Sequence, residues 1–299
     1  MWTMPPVDYI EPLFRPPSEA HSLILQVTNG CSWNRCVYCE MYTQPQKKFK
    51  PKSEKEILAE IQRCGEQLPN TRRIFLADGD AMALSFRRLK SILEAIKQHL
   101  PKVSRITAYC LPSNVKKKTV EELTELKSLG LSMLYIGVET GDDELLTLID
   151  KGETYQSTYD GLIKLQAAGI KRSVMVINGL GGQLYSEQHA RETARLMNAT
   201  QPEYLASLVL FFSNGDQRYR EAFNDKYYGM NDIQLFEEMQ QFVGALDLHK
   251  TIFRSDHASN VLVLKGVLGA DKTRLLDQLN AAVAGESSVF LRHSSDRSL

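Results

Sequence analysis

Three of the chain's five cysteines, Cys31, Cys36 and Cys39, fall within nine residues, just after the apolar run Leu23, Ile24, Leu25 and Val27. Thiolates are soft ligands for iron, zinc or copper(I), and several on one short loop can converge on a single centre. A structural zinc site needs four closed ligands, and no second Cys-x-x-Cys or short-spaced His pair follows nearby. Three thiolates on an iron-sulfur cube leave one iron open to a non-protein ligand, which suits chemistry better than scaffolding. The spacing therefore predicts a metal centre with an open position. A zinc-binding or non-catalytic iron-sulfur protein is the alternative from another class.

Other polar groups stand at the ends of short apolar runs. Arg73 to Ala77 leads into Asp78-Gly79-Asp80, Met133 to Val138 into Glu139-Thr140-Gly141, and Arg172 to Ile177 into Asn178-Gly179. Ligand sites of parallel α/β folds gather at the carboxyl ends of strands. Any one such stretch alone reads as a turn. With the cysteine loop there are four, which points to a cofactor site. Further on, Arg254 to Asn260 packs Arg254, Asp256, His257 and Asn260 into seven residues ahead of Val261 to Leu264, which read as a buried strand. Two readings stand side by side. Either the segment covers the open side of a barrel, with Asp256 and His257 as candidate catalytic groups, or it is a turn held by its own side chains.

The elements that must position these groups are legible from helix caps and periodicity. Ser53-Glu54-Lys55-Glu56 is a capping box opening a helix whose apolar face is Ile57, Leu58, Ile61, Cys64 and Leu68, which makes Cys64 a core residue. Leu89, Ile92, Leu93 and Ile96 mark the next helix. Thr119-Val120-Glu121-Glu122 caps another, and Asp142-Asp143-Glu144 begin a fourth, their charges suiting its positive end. Strands are expected at Ser104 to Tyr109 and Tyr204 to Phe212, and helices near Ser157 to Ala168 and Ser186 to Asn198. Six strands counted from Leu23, each but the last followed by a helix, predict a parallel sheet. Six units fall short of the eight of a closed barrel, so the fold class is α/β, a partial (β/α)6 TIM-like barrel. Residues 1–20, with Pro5, Pro6, Pro16 and Pro17, read as an extended arm, 21–215 as the barrel core and 216–299 as a C-terminal helical and strand extension. Asn178-Gly179-Leu180-Gly181-Gly182 is not G-x-G-x-x-G and follows the fifth strand, which disfavours a doubly wound dehydrogenase.

With 299 residues, 43% hydrophobic and 24% charged, the chain is able to bury a large core. Lys+Arg and Asp+Glu both total 36, so charge gives nucleic acid no support as a partner. No run approaches the roughly 18 apolar residues of a membrane span, and no basic-then-apolar leader is evident. Thiols clustered for metal fit a reducing cytoplasm. Lys47, Lys48, Lys50 and Lys52 around Phe49 read as a solvated loop, or as a docking patch for an acidic electron donor or an anionic substrate.

Cys31, Cys36 and Cys39 after a first strand resemble the cluster loop of the radical S-adenosylmethionine superfamily, with four residues between the first two cysteines where the commonest spacing has three. The resemblance implies a [4Fe-4S] cluster on these cysteines, S-adenosylmethionine on the open iron and Tyr38 near the adenine. Asp78-Gly79-Asp80 stands where the superfamily has Gly-Gly-Glu, which receives the methionine amino group; here the first glycine is replaced and Asp80 takes the acidic end. Tyr135-Ile136-Gly137-Val138-Glu139-Thr140-Gly141 through Lys151-Gly152 is similar to a segment shared by coproporphyrinogen dehydrogenases, the Elongator catalytic subunit and the tRNA methylthiotransferases. By that likeness Glu139 contacts the ribose, and Lys151, in place of the commoner arginine, meets the methionine carboxylate as a point charge. Ile177 and Gly179 match part of the motif whose backbone contacts adenine.

Outside the loop only Cys64 and Cys110 remain, too few for a second three-thiolate cluster, which argues against methylthiotransferases and cysteine-rich maturases. No separate cobalamin-sized domain fits either. The resemblance thus implies reductive cleavage of S-adenosylmethionine to a 5'-deoxyadenosyl radical that abstracts hydrogen from an unidentified substrate, with a small electron donor such as flavodoxin or ferredoxin. A methyl-transferring relative stays open as an alternative. Cys110 reads as a core thiol, with radical quenching or relay as its sharper alternative.

Overall fold

Strands form here where apolar runs too short for a helix end in polar turns. In the computed structural model, which describes residues 5–287 and 289–293, the chain divides into two units. One comprises Met1–Asn34, Met41–Ile136 and Ile163–Arg172; the other comprises Arg35–Glu40, Gly137–Leu162 and Ser173–Leu299.

In the first unit, β1 (Leu23–Gln26), β2 (Arg73–Ala77), β3 (Arg105–Cys110) and the leading part of β4 (Leu131–Glu139) pair in that order, all parallel. Leu25 lies opposite Leu76, Leu76 opposite Ala108, and Ala108 opposite Leu134. Ile74, Phe75, Leu76 and Ala77 are all fully buried, the unbroken apolar run of a parallel strand covered on both faces. The connections carry α1 (Glu54–Gln67), α2 (Phe86–His99), α3 (Pro112–Lys116) and α4 (Val120–Ser128). Both expected capping boxes form, Ser53 with Glu56 and Thr119 with Glu122. Each cap stabilises its helix by about 1 kcal/mol, by pairing amides that a helix start leaves without partners. α1 buries Ile57, Ile61 and Cys64, and burial pushes the Cys64 thiol up to about 11, so it packs and does not react. The proline-rich arm runs along β1: Tyr9 Oη donates to the Ile24 carbonyl at 2.8 Å, and the Gln26 side chain accepts from the Ile10 amide at 2.8 Å. Polar groups of an edge strand are thereby covered.

The second unit holds the last residues of β4, then α5 (Asp143–Leu148), the start of α6 (Tyr155–Ala167) and most of β5 (Lys171–Asn178). Beyond these come α7 (Gly182–Thr200), β6 (Tyr204–Val209), α8 (Gln217–Ala222), α9 (Asp232–Ala245), β7 (Ile252–Ser255), β8 (Leu264–Val267) and α10 (Lys272–Val283). β5, β6 and β7 are parallel, and β8 returns antiparallel on β7. β7 is a parallel strand beyond the six counted from the sequence. Only Ile252 and Phe253 are apolar in it, so pairing with Tyr204–Ala206 of β6, not periodicity, selects it. The strand expected at Val261 to Leu264 lies later, with Val261 and Leu262 buried on the approach to β8. Among the described residues, no helix is long and apolar enough to cross a membrane.

Candidate functional site

In the first unit the cysteine loop leaves β1 through Thr28 and Asn29, which pair with Lys50–Pro51 in a short antiparallel ladder. Gly30 has φ +68°, and a side chain there would overlap the Lys47 carbonyl, so this turn into Cys31 requires glycine. Asn29 Nδ2 donates to the carbonyls of Gln46 (2.6 Å) and Lys48 (3.0 Å), and Asn34 Nδ2 to that of Tyr42 (3.0 Å), tying both ends of the loop to its return. At the end of β2, Asp78 is fully buried. It accepts from Tyr42 Oη at 2.9 Å and forms an ion pair with Lys47, whose ammonium also donates to the Ile10 carbonyl at 2.9 Å. Burial pushes the Asp78 carboxyl above the usual carboxylate range, against the opposing pull of Lys47 and Tyr42. Lys47 therefore differs from the solvated-loop expectation: it is completely buried, because only an internal cation can balance a carboxylate at that strand end. Lys52 is likewise drawn in, to Glu60, while Lys48 and Lys50 stay exposed.

Asp80, two residues on and also fully buried, accepts from Ser32 Oγ and from Asn114 Nδ2. Burial raises its carboxyl as well, opposed by those two donors and by nearby Lys118. Between the two aspartates, Gly79 has no room for a side chain, since a Cβ would lie 2.5 Å from the Tyr42 ring. Cys110 is buried at the end of β3 with Sγ 3.2 Å from the Leu111 carbonyl.

In the second unit, Tyr38, Glu139 and Lys151 meet. Tyr38 Oη and Lys151 Nζ both donate to Glu139 Oε1, at 2.9 and 2.8 Å, and Lys151 Nζ stands 3.2 Å from Tyr38 Oη. Glu139 ends β4 in the left-handed region (φ +64°), and its carboxylate lies so close over Gly137 that any side chain there would collide with it. Burial works to discharge Lys151, but Glu139 and the thiols of Cys36 and Cys39 outweigh it and hold the ammonium above the ordinary lysine range. Burial, then Glu139, Cys36 and Cys39, push the Tyr38 phenol up, so it stays a neutral donor. The Cys36–Cys39 turn is clamped from both sides. Val37 N donates to the Ile149 carbonyl (3.0 Å), Arg35 pairs with Asp150 (3.0 Å), and Arg218 of α8 donates to the carbonyls of Arg35 (3.1 Å) and Cys36 (2.6 Å). Beneath it, Val37 and Tyr38 pack on Leu145, Ile149, Ile177, Leu180 and Tyr219.

Ile177 and Gly179 lie at the end of β5, as the pattern required. The Ile177 carbonyl meets His189 Nε2 at 2.9 Å, and Gly179, at φ +80°, donates its amide to Glu238. Asp256 and His257 follow β7, where Asp256 pairs with Lys265 (3.0 Å), His257 Nδ1 accepts from Ser259 Oγ (2.9 Å), and Asn260 Nδ2 donates to the Ser207 carbonyl (2.9 Å). Arg292 donates to the carbonyls of Asp256 and His257. These side chains hold the turn onto the sheet. Ser32, Tyr42, Asn114, Lys118, Arg218 and Glu238 carried no signal in the sequence, and Lys47 only that of a lysine-rich loop, since each acts on a group distant along the chain.

The donor set suits a cluster. Cys31, Cys36 and Cys39 are part-exposed thiols outside any disulfide, whereas Cys64 and Cys110 are buried. Among the described residues no three His, Cys, Asp or Glu side chains are drawn together tightly enough for one metal ion. A cube, by contrast, spreads three thiolates over three separate irons.

A family model described as the radical SAM superfamily matches residues 25–197. The heme chaperone HemW of Bacillus subtilis is 26% identical over 171 residues, which are 55% of this chain and 45% of HemW, so the chain spans less than half of that relative's length. Among solved structures, the radical SAM enzyme coproporphyrinogen III oxidase (HemN) of Escherichia coli aligns with a TM-score of 0.55 at 13% identity, covering 75% of this chain and 51% of HemN. The radical S-adenosylmethionine methyltransferase TsrM of Kitasatospora setae, with cobalamin and a [4Fe-4S] cluster bound, aligns at 0.51 and 19% identity, covering 63% of this chain and 36% of TsrM. These two likenesses are of fold: an α/β architecture of mostly parallel strands, the partial TIM-like barrel. Since the family model spans more than half of the chain, the protein belongs to the radical SAM superfamily, whose members bind a [4Fe-4S] cluster and S-adenosylmethionine.

Proposed function

We propose that the chain holds one [4Fe-4S] cluster on Cys31, Cys36 and Cys39, binds S-adenosylmethionine beside it and cleaves it reductively to abstract hydrogen from a substrate. The observation that carries this reading is the meeting of Tyr38, Glu139 and Lys151 beside the Cys36–Cys39 turn, in a family that works with those two cofactors. A cluster held by Cys31, Cys36 and Cys39 would supply the one-electron reduction that cleaves S-adenosylmethionine for hydrogen abstraction.

The protein's own residues bind and orient. Tyr38 and Lys151 both address Oε1 of Glu139, so Oε2 is the acceptor offered to a ribose hydroxyl. Lys151 directs two of its three N–H donors at Glu139 and Tyr38, and the third is offered to the methionine carboxylate. Asp80, its orientation fixed by Ser32 and Asn114, offers its carboxylate to the methionine amino group. Ile177 and Gly179 present backbone to the adenine. Asp78, already balanced by Lys47, holds the frame of the cysteine loop, and Gly79 keeps the passage beside Tyr42 clear. Val37, Ile177 and Leu180 exclude water from the base of the site. The reductant in this reading is an acidic one-electron carrier of flavodoxin or ferredoxin type. The exposed Lys48 and Lys50 are the charges left to meet it.

The test is anaerobic reconstitution, reduction with dithionite in the presence of S-adenosylmethionine, and chromatography. The expected product is 5'-deoxyadenosine, lost in Cys36→Ala together with cluster absorbance. S-adenosylhomocysteine instead would point to methyl transfer, and an intact cluster that turns over no S-adenosylmethionine refutes the catalytic reading. Lys151→Met should weaken S-adenosylmethionine binding about ten-fold or more, the loss of one charge-assisted contact of about 1.5 to 3 kcal/mol.

A further inference from the structure

We infer that Glu238 of α9 is a positioning residue for the turn Ile177-Asn178-Gly179, an inference that rests on the proposed role of that turn at the adenine. Glu238 lies beyond the family match, which ends at residue 197, so it comes from the part of the chain without a counterpart in that model. Its side chain is only 1% exposed, and Oε1 accepts the Gly179 amide at 2.6 Å. The same helix holds the neighbouring residue too: Asn178 Nδ2 donates to the Leu235 carbonyl at 3.0 Å, and a Cβ on Gly179 would lie 2.7 Å from Leu235 Cδ2. Gly179 has just left β5 at φ +80°, where no sheet ladder takes its amide. The hydrogen bond that Gly179 donates to Glu238 therefore sets the plane of the Asn178–Gly179 peptide, and with it the direction of the backbone groups that would face the base.

A second observation argues that Glu238 does more than fill the core. Its other oxygen, Oε2, takes no hydrogen bond from the described residues, and Glu238 lines a small cavity in which Asn178, His189, Thr193 and Ser207 stand beside the apolar Val176, Met239 and Phe242. His189 Nε2 lies 3.8 Å from Oε1 and is engaged by the Ile177 carbonyl, with Nδ1 2.8 Å from Thr140 Oγ1. A buried carboxylate with one oxygen unsatisfied is a costly core residue, and an apolar side chain of similar size would stabilise the helix contact better. What an apolar residue cannot supply is an acceptor for Gly179.

The test uses reconstituted full-length protein and three variants, with S-adenosylmethionine binding by calorimetry, iron and sulfide content, and amide hydrogen exchange of Gly179 in cofactor-free protein. E238A removes the acceptor, E238D withdraws it by one methylene while keeping the charge, and E238Q keeps an oxygen at the same reach. We expect E238A and E238D to weaken binding about ten-fold, with iron and sulfide unchanged and Gly179 exchange accelerated, and E238Q to stay within about three-fold of wild type. Wild-type affinity in E238D on an intact cluster overturns the inference, and so does an E238Q as impaired as E238A. Should E238A not fold, the contrast between E238D and E238Q decides. If the wild-type protein itself bound no S-adenosylmethionine, the proposed function would fall. Gly179 exchange in the cofactor-free variants would then decide separately whether Glu238 holds the turn.

Discussion

Replacing Lys47 by Met removes the cation bound to Asp78 while keeping most of the side chain's volume. Both groups are fully buried, so the remaining carboxylate keeps just the Tyr42 hydroxyl, at 2.9 Å, and backbone donation from Gly30. Breaking a buried pair by removing one partner costs about 3–5 kcal/mol. The sign of the pH dependence follows from the direction of the shift. Burial already raises the folded-state Asp78 carboxyl above its unfolded value, and loss of Lys47 raises it further. A carboxyl raised on folding contributes stability that is fully present below its unfolded value and lost as pH rises through the folded one. The deficit of Lys47→Met should therefore be largest above the folded-state value of Asp78 and shrink on acidification, as Asp78 takes up a proton. Urea unfolding of wild type and variant across that titration measures it. The double variant Lys47→Met, Asp78→Leu, which removes both charges of the pair, should recover part of the loss at the higher pH. A single variant that loses less than about 1 kcal/mol at both ends, or a double variant worse than the sum of the singles, would refute the claim that this pair secures the cysteine loop.

Gly137→Ala should place a methyl against the Glu139 carboxylate, costing about 1–3 kcal/mol in urea unfolding and releasing Tyr38 and Lys151 from their shared acceptor; unchanged stability would mean the strand end shifts freely. Arg218→Gln removes the charged donor to the Arg35 and Cys36 carbonyls, so amide exchange of Val37 should quicken about five-fold, while Arg218→Lys should retain part of the protection. For His257, burial and then Arg292 hold the imidazole below its ordinary value, against the pull of Asp256, which favours the neutral ring in the folded state. Stability from this group is present above the unfolded value of about 6.5 and lost as pH falls toward the folded one, so the urea midpoint should drop between about pH 7.5 and 5.5, and His257→Asn should flatten that slope.

What the sequence by itself determined was local. Ser53 with Glu56 and Thr119 with Glu122 are three residues apart and close their capping boxes whatever lies beyond the helix, so both helix starts were readable to the residue. The apolar runs of β2, β4 and β5 and the polar strand ends that follow them were readable for the same reason, as was the density of thiols at Cys31, Cys36 and Cys39. β7 was not, because two apolar residues make no pattern without a neighbouring strand to pair with. The site's internal partners were also out of reach. Lys47 finds Asp78 across 31 residues, Gly179 finds Glu238 across 59, and Tyr38 finds Glu139 across 101. Among four lysines in six residues, nothing local separates the one that is buried from the two that stay in water. That choice belongs to tertiary structure, since a long-range pair forms only when packing elsewhere has already met the entropy of closing the chain between its members.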